Sequence, residues 1–78
     1  MIALTVRFVG PVRRPGPSRT MDIELADTAT VADLMSVLGY GPTEASRLTV
    51  LLDGVRAAAD GPLAGTRTAD ILVLIGGG

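Results

Sequence analysis

The stretch TVADLMSVLGYG, residues 30–41, decides the fold of this 78-residue chain. Thr30 is a favourable N-cap, and Asp33 gives a near capping-box arrangement that also suits the positive end of a helix dipole. Gly39 or Gly41 can take the left-handed conformation that commonly ends a helix. The apolar residues follow the spacing of one helix face, and they are Val31, Leu34, Met35 and Leu38. The stretch therefore predicts an amphipathic helix, which needs a sheet to lie on.

The sequence before this helix predicts two strands. Residues 2–10 and 20–27 alternate apolar and polar side chains, which is typical of half-buried strands. Residues 10–19 between them contain three Pro, two Gly and three Arg, a composition typical of a loop. We therefore expect a hairpin with a long connection.

The sequence after the helix predicts a second hairpin and a final strand. Two apolar runs, over residues 48–52 and 55–57, flank the dipeptide Asp53-Gly54, which favours a tight turn. Residues 61–70 are interrupted by Gly and Pro and predict a loop with at most one helical turn. Residues 71–75, ILVLI, are apolar on both faces, as is typical of a central strand.

Together these elements predict an α+β fold, a mixed sheet of four to five strands with one main helix packed on one face. The first and last strands are the most apolar, so we expect them side by side in the middle of the sheet. Residues 1–75 are expected to form this domain. Residues 76–78, all glycine, are expected to form a flexible tail, because glycine is the least constrained residue.

The composition argues against catalysis by the chain itself. It contains no Cys, no His and no Lys, so it lacks a thiol nucleophile, the usual general base and an amine for a Schiff base. A formal net charge of -1 offers no basic excess for nucleic acid. No apolar run approaches the ~18 residues of a membrane span, and the first residues lack the basic flank of a signal peptide. We expect a cytoplasmic protein that binds neither nucleic acid nor membrane.

In this order and length, the segments resemble the β-grasp fold of the ubiquitin-like superfamily. More closely, they resemble the small sulfur-carrier proteins of molybdopterin and thiamin biosynthesis, the MoaD/ThiS family. The resemblance covers the whole chain and is carried by MIALTVRFVGPVR, DTATVADLMSVL, LTVLLDGV, GPLAGTRTADILVLI and the di-glycine at 77 and 78. One departure is GTRTAD at 65–70, which keeps only Asp70 of an acidic-Gly-acidic turn that family members often carry.

The resemblance implies a protein cosubstrate whose C-terminal carboxylate is the reactive group. A ubiquitin-activating-enzyme-like adenylyltransferase would use ATP and magnesium to convert the carboxylate to an acyl-adenylate. A persulfide or sulfide donor would then displace AMP and leave a thiocarboxylate, and a sulfur-accepting synthase would receive the sulfur. The chain itself would bind no cofactor. The pathway stays open among cofactor, amino-acid and natural-product biosynthesis.

The resemblance also implies the site residues. Gly78 would carry the adenylate and then the sulfur, and Gly77 would enter the partner's channel with it, because residues without Cβ allow close approach of the backbone. Gly76 would serve as a hinge. An exposed apolar patch on the open sheet face would dock the partner enzymes. We expect that patch to contain Leu72 and Leu74, with Leu51 or Val9 nearby.

Two other functions fit the same sequence. One is a ubiquitin-like modifier whose terminus is joined to an amine of another protein. The other is a protein-binding module with an idle tail. The arginines at 7, 13, 14 and 19 lie on or beside the first hairpin, where they form either a rim that steers an acidic partner or part of a solvated loop.

Overall fold

The computed structural model describes residues 1–73, and within them five strands form one mixed sheet. The elements are β1 (Ile2–Val9), β2 (Thr20–Leu25), α1 (Val31–Val37), α2 (Pro42–Ala45), β3 (Leu48–Leu52), β4 (Val55–Ala57) and β5 (Thr68–Val73). The strand order is β2-β1-β5-β3-β4. Strands β1 and β5 are parallel, and the other neighbours are antiparallel. The prediction that the first and last strands pair is therefore confirmed.

Helix α1 starts with the predicted cap at Thr30 and ends at one of the two predicted glycines. The backbone N–H of Thr30 donates to the Asp33 carboxylate at 2.9 Å, and the Thr30 hydroxyl accepts from the Asp33 N–H. These bonds pair backbone donors that the first turn of a helix leaves without partners. The helix ends at Val37, and Gly39, one of the two glycines predicted to end it, takes the left-handed conformation at φ 88.

Helix α2 was not predicted from the sequence. Its first residue is Pro42, which directly follows the stretch that predicts the first helix. Proline suits this position because its missing N–H would have no acceptor inside the helix. Neither α1 nor α2 is long and apolar enough to cross a membrane.

Strand β5 begins earlier than predicted. The loop was expected to reach residue 70, but the strand starts at Thr68, which pairs with Thr5 of β1. Its next residue, Ala69, pairs with Leu52 of β3. The small residues of this segment hid the alternation that the pairing shows, with Ala69 buried and its two neighbours half-buried.

The core lies between α1 and one face of the sheet. Its largest fully buried side chains are Leu4, Val6, Leu34, Leu63 and Ile71. Leu63 comes from the segment between β4 and β5, where its N–H donates to the Ala29 carbonyl oxygen at 3.0 Å. That bond holds the segment against the start of α1 and closes one end of the core.

Asp53 ties the β3–β4 turn to the start of β5. Asp53 and Gly54 both have positive φ, 49 and 85, as a tight hairpin turn requires. The Asp53 carboxylate accepts from the backbone N–H groups of Arg67 and Thr68 at 3.1 and 2.9 Å. The hydrogen bonds from the Thr68 and Arg67 backbone hold the pKa of Asp53 below its usual range. The turn therefore fixes where β5 enters the sheet.

The Asp53 contacts predict a pH-dependent contribution to stability, tested with Asp53→Asn. Asparagine tolerates the left-handed conformation but carries no charge. Because the folded-state pKa is lowered, the contribution is complete above about pH 4 and is lost as the pH falls through the folded value. Urea denaturation at a series of pH values should show wild type more stable than the variant near neutral pH, with the difference shrinking in acid.

Asp60→Asn is the control for that experiment, because the Asp60 carboxylate makes no hydrogen bond within residues 1–73. The control should behave like wild type across the series. A difference between wild type and Asp53→Asn that stays constant from neutral to acid pH would contradict the assignment.

Candidate functional site

The sheet face opposite α1 is open, and it carries apolar residues where β5 ends. Leu72 pairs with Val9 of β1 on one side and with Thr49 of β3 on the other. Val9 is 48% exposed and Leu72 is half-buried. Val9 and Leu72 therefore form an accessible apolar surface beside the last described residues of β5.

Leu51 lies on the same face, one step further into the sheet. It pairs with Asp70 of β5 and with Arg56 of β4, and its side chain is half-buried. Val9, Leu51 and Leu72 together are called the open-face patch. The other predicted site residues, Leu74, Gly76, Gly77 and Gly78, lie outside the described residues.

A bidentate ion pair spans the open face beside this patch. Arg7 of β1 donates from Nε and Nη2 to the Asp70 carboxylate of β5 at 2.6 and 2.9 Å. The hydrogen bond from Arg7 to Asp70, reinforced by their charges, raises the pKa of Arg7. Arg7 is still 52% exposed, whereas Asp70 is 15% exposed. The carboxylate is thus satisfied within the sheet, and the guanidinium presents its free edge to solvent.

One end of the sheet, where β1 and β5 finish and β2 and β3 begin, is called the exit end. A groove of about 480 Å³ opens there between the first loop, α2 and the start of β3. Its lining includes Pro11, Arg13, Glu44, Arg47, Leu48 and Val73. Val73 is the last described residue of β5, so this groove adjoins the point at which the chain runs on toward its glycines.

Arg13 holds one wall of the exit-end groove in place. Its guanidinium donates to both carboxylate oxygens of Glu44 at 2.9 and 2.6 Å and to the Gly39 carbonyl oxygen at 3.0 Å. It also lies 5.1 Å from the centre of the Tyr40 ring, within cation–π range. The Tyr40 hydroxyl donates to the Arg13 carbonyl oxygen. The first loop is thereby fixed to α2 and to the end of α1.

A larger cleft of about 530 Å³ runs between the two helices and the β3–β4 pair. No charged residue lines it. Its lining includes the hydroxyls of Ser36, Tyr40 and Ser46 but no His, Asp, Glu, Cys or Lys that could activate one of them as a nucleophile. Within the described part of the chain, the exit end is where charged and apolar groups meet.

Three features of the site were missed in the sequence. The Arg7–Asp70 pair was missed because β5 was predicted to start at residue 71, which left Asp70 in a loop. Side chains two residues apart on a strand lie on the same face. Extending the predicted strand back by one residue would therefore have placed Asp70 on the same face as Leu72. Arg47 and the exit-end groove were missed with α2, whose signal was proline directly after glycine in GPTEAS, residues 41–46.

The chain has the ubiquitin-like β-grasp fold of the α+β class, as predicted. The features that define it are the strand order, the parallel pairing of β1 with β5 and the single main helix. Two crystal structures of small archaeal modifier protein 1, SAMP1, from Haloferax volcanii are similar to it. One superposes with a TM-score of 0.72 at 19% identity over 97% of this chain and 99% of that one. The other gives 0.75 at 18% identity over 94% and 98%.

At these identities the likeness concerns the fold. No protein-family model and no curated protein matches the chain. The closer resemblance to the MoaD/ThiS family therefore stays a hypothesis drawn from the sequence.

The Tyr40 hydrogen bond predicts that Tyr40→Phe destabilises the fold by about 1 kcal/mol, because the part-buried Arg13 carbonyl oxygen loses its donor. Burial raises the pKa of Tyr40, so wild type should lose stability as the pH rises past about 10, the usual tyrosine value. The variant should not show this loss. Tyr40 is the sole tyrosine, so phenolate absorbance follows it directly. Equal stability of the two proteins at neutral pH would contradict the assignment.

Proposed function

We propose that this chain is a sulfur carrier that acts through the carboxylate of Gly78. The observation that carries the proposal is the placement of β5, which is hydrogen-bonded to β1 on one side and β3 on the other and runs toward the three glycines. A strand held on both sides gives a fixed base from which the last residues can be presented to another protein.

The distance from that base to Gly78 limits how the partner must be built. A fully extended segment from Val73 to Gly78 spans at most about 18 Å. A partner that docks on the open-face patch must therefore hold its nucleotide within this distance of Val73. The glycines suit a narrow channel, because a backbone without Cβ atoms allows the closest approach.

The proposed reaction has two steps. A carboxylate oxygen of Gly78 attacks the α-phosphorus of ATP in the partner's site, and pyrophosphate leaves. Hydrosulfide then attacks the acyl carbon, and AMP departs with the bonding electrons. If the donor is a persulfide, its terminal sulfur attacks instead, and a thiol of the partner then reduces the resulting acyl disulfide and releases the thiocarboxylate. The product is a thiocarboxylate that a synthase can use as a sulfur source. The absence of Cys and Lys supports this role, since the chain has no thiol or side-chain amine to capture its own activated terminus.

A second candidate function is that of a ubiquitin-like modifier. It is favoured by the structural likeness to proteins named small archaeal modifiers. In that role the same activated carboxylate would be attacked by an amine of a target protein. The modifier and the carrier both depend on a free terminus at Gly78, whereas a plain binding module would not.

Both terminus-dependent functions predict that one alanine appended after Gly78 abolishes ATP-dependent activation. The reacting carboxylate would sit one residue too far along and would no longer belong to glycine. Pyrophosphate release by the adenylating enzyme encoded in the same genome measures this. An alanine inserted after Gly16, in the exposed first loop, is the matched control and should leave activation intact. Full activation of the extended chain would contradict both functions.

Intact mass separates the carrier from the modifier. After incubation with the activating enzyme, ATP and sulfide, a carrier should gain the mass difference between one sulfur and one oxygen atom. A modifier should instead appear joined to other proteins as conjugates of higher mass. Activation without any sulfur-containing product would contradict the sulfur-carrier function while leaving the modifier function in place.

The open-face patch predicts a docking defect in the double variant V9S/L72S. Removing two accessible apolar side chains from the centre of an interface should weaken binding to the activating enzyme at least about tenfold. The matched control is V37S/V55S, because Val37 and Val55 are 60% and 69% exposed but lie elsewhere, on α1 and β4. Isothermal titration gives both affinities. Equal weakening by the two variants would show that the patch is not the docking surface.

A further inference from the structure

The charges of the chain are divided between the two ends of the sheet. At the exit end, five arginines face two carboxylates, which gives a net charge of +3 within the described residues. The arginines are Arg7, Arg13, Arg14, Arg19 and Arg47, and the carboxylates are Glu44 and Asp70. The pairing of Arg7 with Thr20 and of Val73 with Leu48 brings these separate parts of the sequence together.

The opposite end of the sheet is acidic. It holds the turn after β3, the end of β2 and the start of α1, and five carboxylates lie there beside one arginine, Arg67. The carboxylates are Glu24, Asp27, Asp33, Asp53 and Asp60. Asp22, which pairs with Thr5, and Arg56, which pairs with Leu51, lie between the two ends. The formal net charge of the chain is only -1, but the two ends of the sheet carry opposite net charges.

The two carboxylates at the exit end are already occupied. Glu44 is bound by Arg13 at 2.6 Å, and Asp70 is bound by Arg7 at 2.6 Å. Arg14, Arg19 and Arg47 form no ion pair with a carboxylate of residues 1–73. They are exposed and supply the net positive charge of this end.

Arg47 combines charge with a shaped surface. Its backbone N–H donates to the Glu44 carbonyl oxygen at 3.0 Å, so α2 fixes its position. Its side chain lines the exit-end groove together with Leu48 and Val73, both half-buried. The groove therefore offers a guanidinium beside an apolar floor, directly next to the end of β5. A guanidinium without a partner matches the geometry of a carboxylate.

We propose that the exit-end groove receives an acidic segment of the activating enzyme, with a carboxylate on Arg47 and an apolar side chain over Leu48 and Val73. This rests on the proposed function, because it assigns the groove to the same partner. The segment borders the mouth of the channel that the glycines enter. The partner would then make two contacts with this chain. One is the apolar contact on the open-face patch, and the other is the polar contact with Arg47 beside the end of β5.

The polarity of the domain orients its approach to such a partner. An acidic rim around the channel attracts the exit end and repels the acidic end, so the tail arrives first. Complementary charges of this kind act mainly on the association rate and lose their effect as salt is raised. The proposal therefore makes a kinetic prediction that an apolar interface alone does not.

The test compares Arg47→Glu with Arg67→Glu. Both variants change the formal net charge of -1 by the same two units, but at opposite ends of the sheet. Stopped-flow mixing with the adenylating enzyme of the same genome gives the association rate constants at low and at physiological salt. We expect Arg47→Glu to slow association about tenfold at low salt, with a smaller effect at higher salt. Arg67→Glu should change the rate less than about twofold.

Equal rates for the two variants, or an Arg47→Glu rate like that of wild type, overturn the proposal. Both residues are exposed, and thermal denaturation checks that both variants fold. If wild type is adenylated while the two reversals behave alike, the groove assignment fails and the sulfur-carrier function stands. If wild type is not adenylated, the proposed function fails and the groove assignment fails with it.

Discussion

The parallel pairing of β1 with β5 is the constraint on which the rest of the structure depends. It inserts the last described strand between β1 and β3, so β5 has hydrogen-bonding neighbours on both sides. Ile71 is fully buried on the α1 side, and Asp70 is tied to Arg7 on the open side. Local fraying of β5 would therefore break two ladders and a core contact together. Under the proposed function, this rigid base would hold the final residues in position for the partner protein.

The same pairing decides which residues share a surface. Because side chains alternate along a strand, fixing Val9 opposite Leu72 also fixes Arg7 opposite Asp70. A one-residue slip would bury the charged set and expose the core set. The open-face patch and the ion pair beside it are thus two consequences of one register. Neither requires a separate explanation in the loops.

Much of this could be predicted from the sequence, and the failures have a common cause. The 30–41 stretch predicted α1 and its cap because helix periodicity and capping are local signals. Pairing of the first and last strands followed from their apolar content. The predicted start of β5 was wrong, and Asp70 was therefore placed in a loop. Both depend on pairing with Thr5 and Leu51, which are far away in sequence. The exit-end groove was missed for the same reason, since α2 and the first loop meet only in the fold.

All seven basic side chains are arginines, and the position of five of them at the exit end suggests a physical reason for this choice. A guanidinium stays protonated at all physiological pH values and has no free lone pair for attack, whereas a lysine amine titrates and can act as a nucleophile. The exit end carries a net charge of +3 beside the strand that leads to Gly78. If that terminus is activated as proposed, lysines there would compete for the acyl group. Arginines provide the same attraction for an acidic partner without this competition, so the composition suits a cationic end next to a reactive terminus.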